Sequence, residues 1–229
     1  MRDLAELEGW LAGARVDPAV AALRPDYRAH LLVAEGLTPG PSDDWSDGLL
    51  AAAERAAPPV DHPHALAWAE AFREFGAKPQ RTRPSLTALL RRAPDGLPRV
   101  DRLTDAYNAV SVRHVVPVGG EDLDAYVGSI RLVRAAGDEP FETVAAGDPV
   151  VETPEPGEVV WRDDAAATCR RWNWRQCIRT RLTTSTTRAV FVLDALGPMD
   201  DAALAAAGDE LAAALAAGSP GVRIERRTL

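Results

Sequence analysis

Apolar positions recur every three or four residues along the first half of the chain and at alternate residues along much of the second half. Helical spacing predicts helices over 3–13, 44–56, a segment from "DHPHALAWAEAFREFG" stopping at Gly76, another beginning near Pro84 and Ser85, and 102–114. In the last of these, Leu103, Ala106, Val110 and Val112 form the buried side, while Pro58 and Pro59 close the helix over 44–56. One early strand is expected in "RAHLLVAEGL". After Pro117 and the pair Gly119 and Gly120 the period shortens, predicting strands near 124–127, 129–134, 141–144, 158–161, 167–174, 178–183 and 188–195. "MDDAALAAAGDELAAALAAG" reads as a helix started by Asp200 and Asp201 and stopped at Gly218, and "GVRIERR" as a closing strand. Helices grouped ahead of strands place the fold in the α+β class, with helices packed on a mixed or antiparallel sheet. Residues 1–61 read as an N-terminal α/β extension packed on the domain formed by 62–229, one compact unit overall.

A hydrophobic fraction of 46% supports a folded core, and a net charge of −8 excludes a broadly cationic protein such as a polybasic membrane binder. Any anion site is therefore local. Cations gather in "AKPQRTRPSLTALLRR" and in "ATCRRWNWRQCIRTRLTTSTTRAV"; Lys78 is the only lysine, a bias that coding composition explains as well as chemistry does. The acidic N-terminus and the lack of an apolar run near ~20 residues imply a cytoplasmic chain with no membrane partner. Cys169 and Cys177 have no zinc-type spacing and read as reduced core thiols, and His62 and His64 are too close in "DHPH" to make a good zinc pair. His114 reads as a helix-end residue near the negative pole of the dipole. No metal or cofactor is expected. The absence of GxSxG, HExxH, P-loop and GxGxxG patterns argues against a conventional hydrolase.

The segment 167–190 carries the most chemistry. In one extended strand, Arg171, Asn173 and Arg175 share a face, with Arg170, Trp172 and Trp174 opposite. The first face offers donors for phosphate, carboxylate or an ester carbonyl; the second offers aromatic surface for the core or for stacking a base. Thr183, Thr184, Ser185, Thr186 and Thr187 add hydroxyls able to orient a water or an amino group.

Taken in order, "FGAKPQRTRPSLTALLRR", "LPRVDRLTDAYNAVSVRHVVPVGGEDLD" and "CRRWNWRQCIRTRLTTSTTRAVFVLDAL" resemble the B3/B4 domain of the bacterial phenylalanyl-tRNA synthetase β subunit, over roughly 62–217. That domain is an editing module hydrolysing tyrosine wrongly esterified to the phenylalanine tRNA; free-standing relatives act as trans-editing deacylases, one group clearing canavanine from the arginine tRNA. The resemblance implies ester hydrolysis on a mischarged tRNA, with the aminoacylated 3′ end as partner. Asn108 matches the asparagine of the family's pocket helix, Tyr107 replaces its hydroxyl residue, and Gly119 or Gly120 stands where the family has a histidine. "RRWNWRQ" replaces its glycine-rich turns, so tyrosine specificity does not carry over. On this reading Asn108, Asn173, Thr184 and Thr186 are the candidate catalytic residues. Lys78, Arg81, Arg83, Tyr107, Arg171, Trp172, Trp174, Arg175 and Arg179 are candidates for substrate or tRNA binding. Glu121, Asp122 and Asp105 are candidate acids for an amino group. A non-catalytic RNA-binding module and a small-molecule or protein-binding domain of the same fold are the alternatives.

Overall fold

The structure, a computed structural model, describes residues 4–229. Its first part runs α1 (Leu4–Gly13), β1 (Arg15–Val16), α2 (Pro18–Leu23), β2 (Arg28–Glu35), α3 (Asp44–Ala56), α4 (Pro63–Glu74), α5 (Ser85–Arg92) and α6 (Arg102–His114). It continues with β3 (Val118–Asp122), β4 (Arg131–Arg134), β5 (Phe141–Ala145), β6 (Asp148–Glu152), β7 (Val159–Arg162), β8 (Ala167–Arg170), β9 (Arg175–Gln176), β10 (Arg188–Ala195), α7 (Asp201–Gly218) and β11 (Arg223–Thr228). The fold is α+β, as the periodicity predicts; position 3, the expected first residue of the opening helix, lies outside the described residues. No helix among the described residues is long and apolar enough to cross a membrane.

Three sheets form. An antiparallel sheet has the order β11-β2-β10-β3, a mixed sheet the order β1-β4-β7-β8-β9, and β5 pairs with β6 alone. β2 is thus an inner strand of the four-stranded sheet although it belongs to the first sixty residues. Every residue of β10 is buried, so its alternating side chains supply two cores. Phe191 and Leu193 point into a cluster with Leu103, Tyr107 and Val110 of α6 and Leu204, Leu211 and Leu215 of α7. Val190 and Val192 point the other way, toward Trp68, Phe72 and Leu86 of the middle helices and Trp161, Cys169 and Trp172 of the mixed sheet. Asp194 shares the parity of Val190 and Val192 and so is aimed between the two sheets.

Helix ends follow their side chains. Asp43 and Ser46 form a reciprocal cap on α3, Asp101 accepts from Leu103 and Thr104 at the start of α6, and Asp200 accepts from Ala203 at the start of α7. His62 caps α4, and His64 ties distant elements: Nδ1 donates to the Val115 carbonyl at 2.6 Å and Nε2 accepts from the Leu196 amide at 3.0 Å. Both contacts fix the neutral imidazole, and burial lowers its pKa to about 4. His114 pairs with Glu210 at 2.8 Å.

Four local expectations change. Residues 118–122 are a strand despite Gly119 and Gly120, because a Cβ on Gly120 would sit 2.9 Å from the Tyr107 ring and 3.0 Å from Phe191. Residues 123–125 form a single 3-10 turn rather than the start of a strand, with Asp122 accepting from the Asp124 amide. β6 forms where no strand is expected. Over 178–183 no strand forms; only Arg181 makes an isolated bridge, to Glu121.

The expected strand 167–174 is also interrupted, with consequences for the site. β8 ends at Arg170, and residues 171–174 turn back into β9, with Arg171 and Trp172 both left-handed at φ 49° and 66°. Two such non-glycine residues in succession are strained, and the surroundings hold them. Trp172 is fully buried, with its ring 4.9 Å from Tyr27 and 5.4 Å from Trp68. Arg170 donates to both oxygens of buried Glu158 at 2.9 Å and to Glu152 at 2.8 Å.

Candidate functional site

A cavity of about 300 Å³ lies between the two larger sheets, roofed by α5 and α6. β3 contributes Gly119 and Glu121 to its wall, β10 contributes Val192 and Asp194, and the 171–174 turn with β9 contributes Trp172, Asn173, Trp174, Arg175 and Gln176. α6 adds Tyr107 and Asn108; α5 adds Ser85 and Arg92. Such a volume lies at the small end of the range of small-molecule sites, roughly 300–1,000 Å³.

The tight turn decides which atoms reach it. Ser85 N donates to the Asn173 carbonyl, fastening α5 over the turn, while the Asn173 side-chain amide donates to Asp194 Oδ2 at 3.3 Å. That bond assigns the carboxamide orientation and leaves its buried Oδ1 without a protein partner. Asp194 also accepts from the Tyr27 hydroxyl at 2.6 Å, and its desolvation raises its pKa to about 7 despite the two donors. The Trp161 N–H faces the same carboxyl without reaching hydrogen-bond geometry.

Glu121 forms a second buried acid. Its Oε2 accepts from Thr180 at 2.6 Å and Tyr126 at 2.8 Å, and burial raises its pKa above the ordinary carboxylate range. Neither contact uses Oε1. Asn108, on the cavity-facing side of α6, makes no side-chain hydrogen bond to the described protein, so both ends of its amide are available. The Cys169 thiol lines the wall too, but burial pushes its pKa well up and keeps it a thiol rather than a nucleophilic thiolate.

Of the residues singled out from the sequence, Asn108, Asn173, Tyr107, Glu121, Trp172, Trp174 and Arg175 meet at this cavity. Arg175 donates to the Val144 carbonyl at 3.1 Å at its edge. The others lie elsewhere. Arg171 leaves the face expected of it because the chain turns; it packs 4.4 Å from the Trp174 ring and 3.4 Å from Glu158. Thr184 is exposed, and Thr186 donates to Asp122 Oδ2 at 2.7 Å, which ties both Thr186 and Asp122 to a loop. Arg179 pairs with Asp163 at 2.9 Å, and Asp105 accepts from Ser46 and Val100 between α3 and α6. Lys78, Arg81 and Arg83 are exposed beyond α5.

Asp194, Gln176, Ser85 and Arg92 are cavity residues that sequence reasoning missed. For Asp194 the signal is in the chain: after Arg188, it is the one polar residue of β10. No cluster of three or more His, Cys, Asp or Glu among the described residues is arranged to hold a metal ion.

Comparison with known proteins adds two findings. A family model described as "B3/4 domain" matches residues 67–213. A solved N-terminal fragment of the phenylalanyl-tRNA synthetase β-subunit from Pyrococcus horikoshii is similar at 13% identity with a TM-score of 0.49, the alignment covering 94% of this chain and 53% of the fragment. This chain thus spans about half the length of that fragment. No curated protein matches the sequence.

Proposed function

The chain belongs to the B3/4 domain family, and from that membership and the chemistry of the cavity we propose that it is a trans-acting deacylase cleaving the ester of a mischarged aminoacyl-tRNA. The observation that carries the reading is the convergence of the Asn108 carboxamide and the unpartnered Oδ1 of Asn173 with two buried acids, Glu121 and Asp194, around a space of about 300 Å³. An aminoacyl ester is already activated, so orientation and one well-held water supply much of the acceleration without a covalent nucleophile.

Asn108 donates to the ester carbonyl and stabilises the developing oxyanion. Asn173 Oδ1 accepts from the attacking water. Asp194, with a pKa of about 7, is matched to take the water's proton near neutral pH. Attack forms the carbonyl carbon–oxygen bond, and collapse expels the ribose oxygen, which regains a proton, leaving free amino acid and uncharged tRNA. Glu121 Oε1 receives the substrate ammonium group, and Arg175 at the edge faces the terminal phosphate.

Incubating the protein with a panel of mischarged tRNAs, non-protein amino acids such as canavanine included, tests this. Release of amino acid above the spontaneous rate from at least one member supports it. Salt-dependent tRNA binding with no release from any member would instead identify a non-catalytic RNA-binding module.

A further inference from the structure

Most arginines of this acidic chain are neutralised where they stand: Arg24, Arg28, Arg102, Arg131, Arg162 and Arg170 all face carboxylates within ion-pair distance. The segment from the end of α4 through α5 is different. Arg73, Lys78, Arg81, Arg83, Arg91 and Arg92 are all exposed, and none forms a salt bridge or side-chain hydrogen bond among the described residues. Six unpaired cations thus lie within twenty residues of a protein of net charge −8.

Three of these cations, Arg73, Arg83 and Arg91, line a second depression of about 360 Å³ between α4 and α5. Its floor is apolar, with Ala65, Leu66, Ala69, Pro79 and Pro84; Arg73, Arg83 and Arg91 line it, and Asp61 is its one acid. Leu66 is half exposed there. Thr87 turns toward it with a buried hydroxyl oxygen that has no partner, and the first turn of α5 has no side-chain cap, so the Leu86 and Thr87 amides, unlike that of Ser85, stay free and add positive potential. An apolar floor, cationic walls and an unused hydroxyl suit a nucleotide of a single strand, with the base against the floor and phosphates against the arginines.

The depression lies on the other side of α5 from the cavity. Ser85, Ala88, Leu89 and Arg92 face the cavity, whereas Arg83, Pro84, Thr87 and Arg91 face the depression. One helix, about 10 Å across, is a span that two nucleotides cover.

We propose that the α4–α5 groove is a single-stranded RNA subsite holding the nucleotides that precede the esterified terminal residue, while the terminal residue enters the cavity beyond α5. Its link to the cavity rests on the deacylase reading; the RNA affinity of the groove does not. An acidic surface elsewhere repels phosphate and confines the strand to this path.

The test uses a fluorescent eight-nucleotide single-stranded RNA carrying no amino acid, so binding is scored apart from hydrolysis. Arg73→Gln with Arg91→Gln changes two exposed side chains, and an unchanged thermal unfolding curve confirms that the fold is kept. Expected are a Kd weakened about tenfold and a plot of log K against log salt flatter by about 1.4, the value for two lost single-strand phosphate contacts. Equal affinity and slope for both proteins would overturn the proposal. Displacement of the RNA by poly-glutamate at matched charge concentration would overturn it too, by making the groove a dock for an acidic protein.

Discussion

At the scale of single residues, the proposed deacylase chemistry turns on the Asn173 and Asp194 pair. Asn173→Ala removes the water-holding oxygen and a donor to Asp194, so turnover is expected to fall about 10²-fold with a much smaller change in tRNA affinity. A loss confined to affinity would make Asn173 a binding residue only. Asp194 titrates near neutrality, and its ionised form accepts the proton, so the enzyme-dependent rate should rise with pH through about 7 and level off above it. Asp194→Asn should leave a low rate with no such step, measured after subtracting spontaneous hydrolysis at each pH. Asn173 is legible in the sequence as an amide between arginines and tryptophans, whereas Asn108 stands out only through the resemblance of "DAYNAVSV" to the family's pocket helix. Asp194 escapes notice because periodicity marks its strand as core, and the same periodicity makes a carboxylate there, with no cation beside it, unusual.

The turn between β8 and β9 shows how an element departs from its pattern. Alternation over "CRRWNWRQ" reads as one strand, yet the chain reverses after Arg170, because burying the Trp172 ring and pairing Arg170 with Glu158 outweigh the local cost of two left-handed residues. Those long-range contacts have no signature at two-residue spacing. By contrast β10, α3, α6 and α7 were readable, since their caps and apolar periods agree with their packing. Trp172→Ala should cost about 3–5 kcal/mol in urea unfolding and abolish turnover by releasing Asn173 from the cavity wall. A cost below about 1 kcal/mol would show that the turn is held by other means. Gly120→Ala tests the neighbouring wall. Its methyl meets Tyr107, Leu182 and Phe191 at 2.9–3.0 Å, and a loss of about 1–3 kcal/mol is expected.

For the molecule as a whole, buried titratable groups give stability opposing slopes with pH. Asp194 has a folded pKa of about 7 against an ordinary 3.8, so the folded state binds the extra proton between those values. Its contribution is full below pH 3.8 and is lost as pH rises to 7; Glu121, also raised by burial, acts in the same sense. His64 behaves oppositely: with a folded pKa of about 4 against 6.5, its unfolded form binds the proton first, so stability grows as pH rises from 4 to 6.5. The two trends oppose each other in the native chain. In Asp194→Asn the dependence of stability on pH between 4 and 6.5 should therefore shift toward stability rising with pH; an unchanged slope would mean that Asp194 does not titrate in this range.

Charge is arranged on the same scale, with unpaired cations gathered from the end of α4 through α5 and carboxylate-paired arginines on many other elements. On the proposed reading the cavity hydrolyses an aminoacyl ester. Single-turnover release of labelled amino acid from a mischarged tRNA, at saturating enzyme, separates that chemistry from binding. Release well above the spontaneous rate is expected for the native protein, reduced about 10²-fold in Asn173→Ala at the same saturation. Native and variant rates both equal to the spontaneous rate, across the whole panel of mischarged tRNAs and with tRNA demonstrably bound, would contradict it.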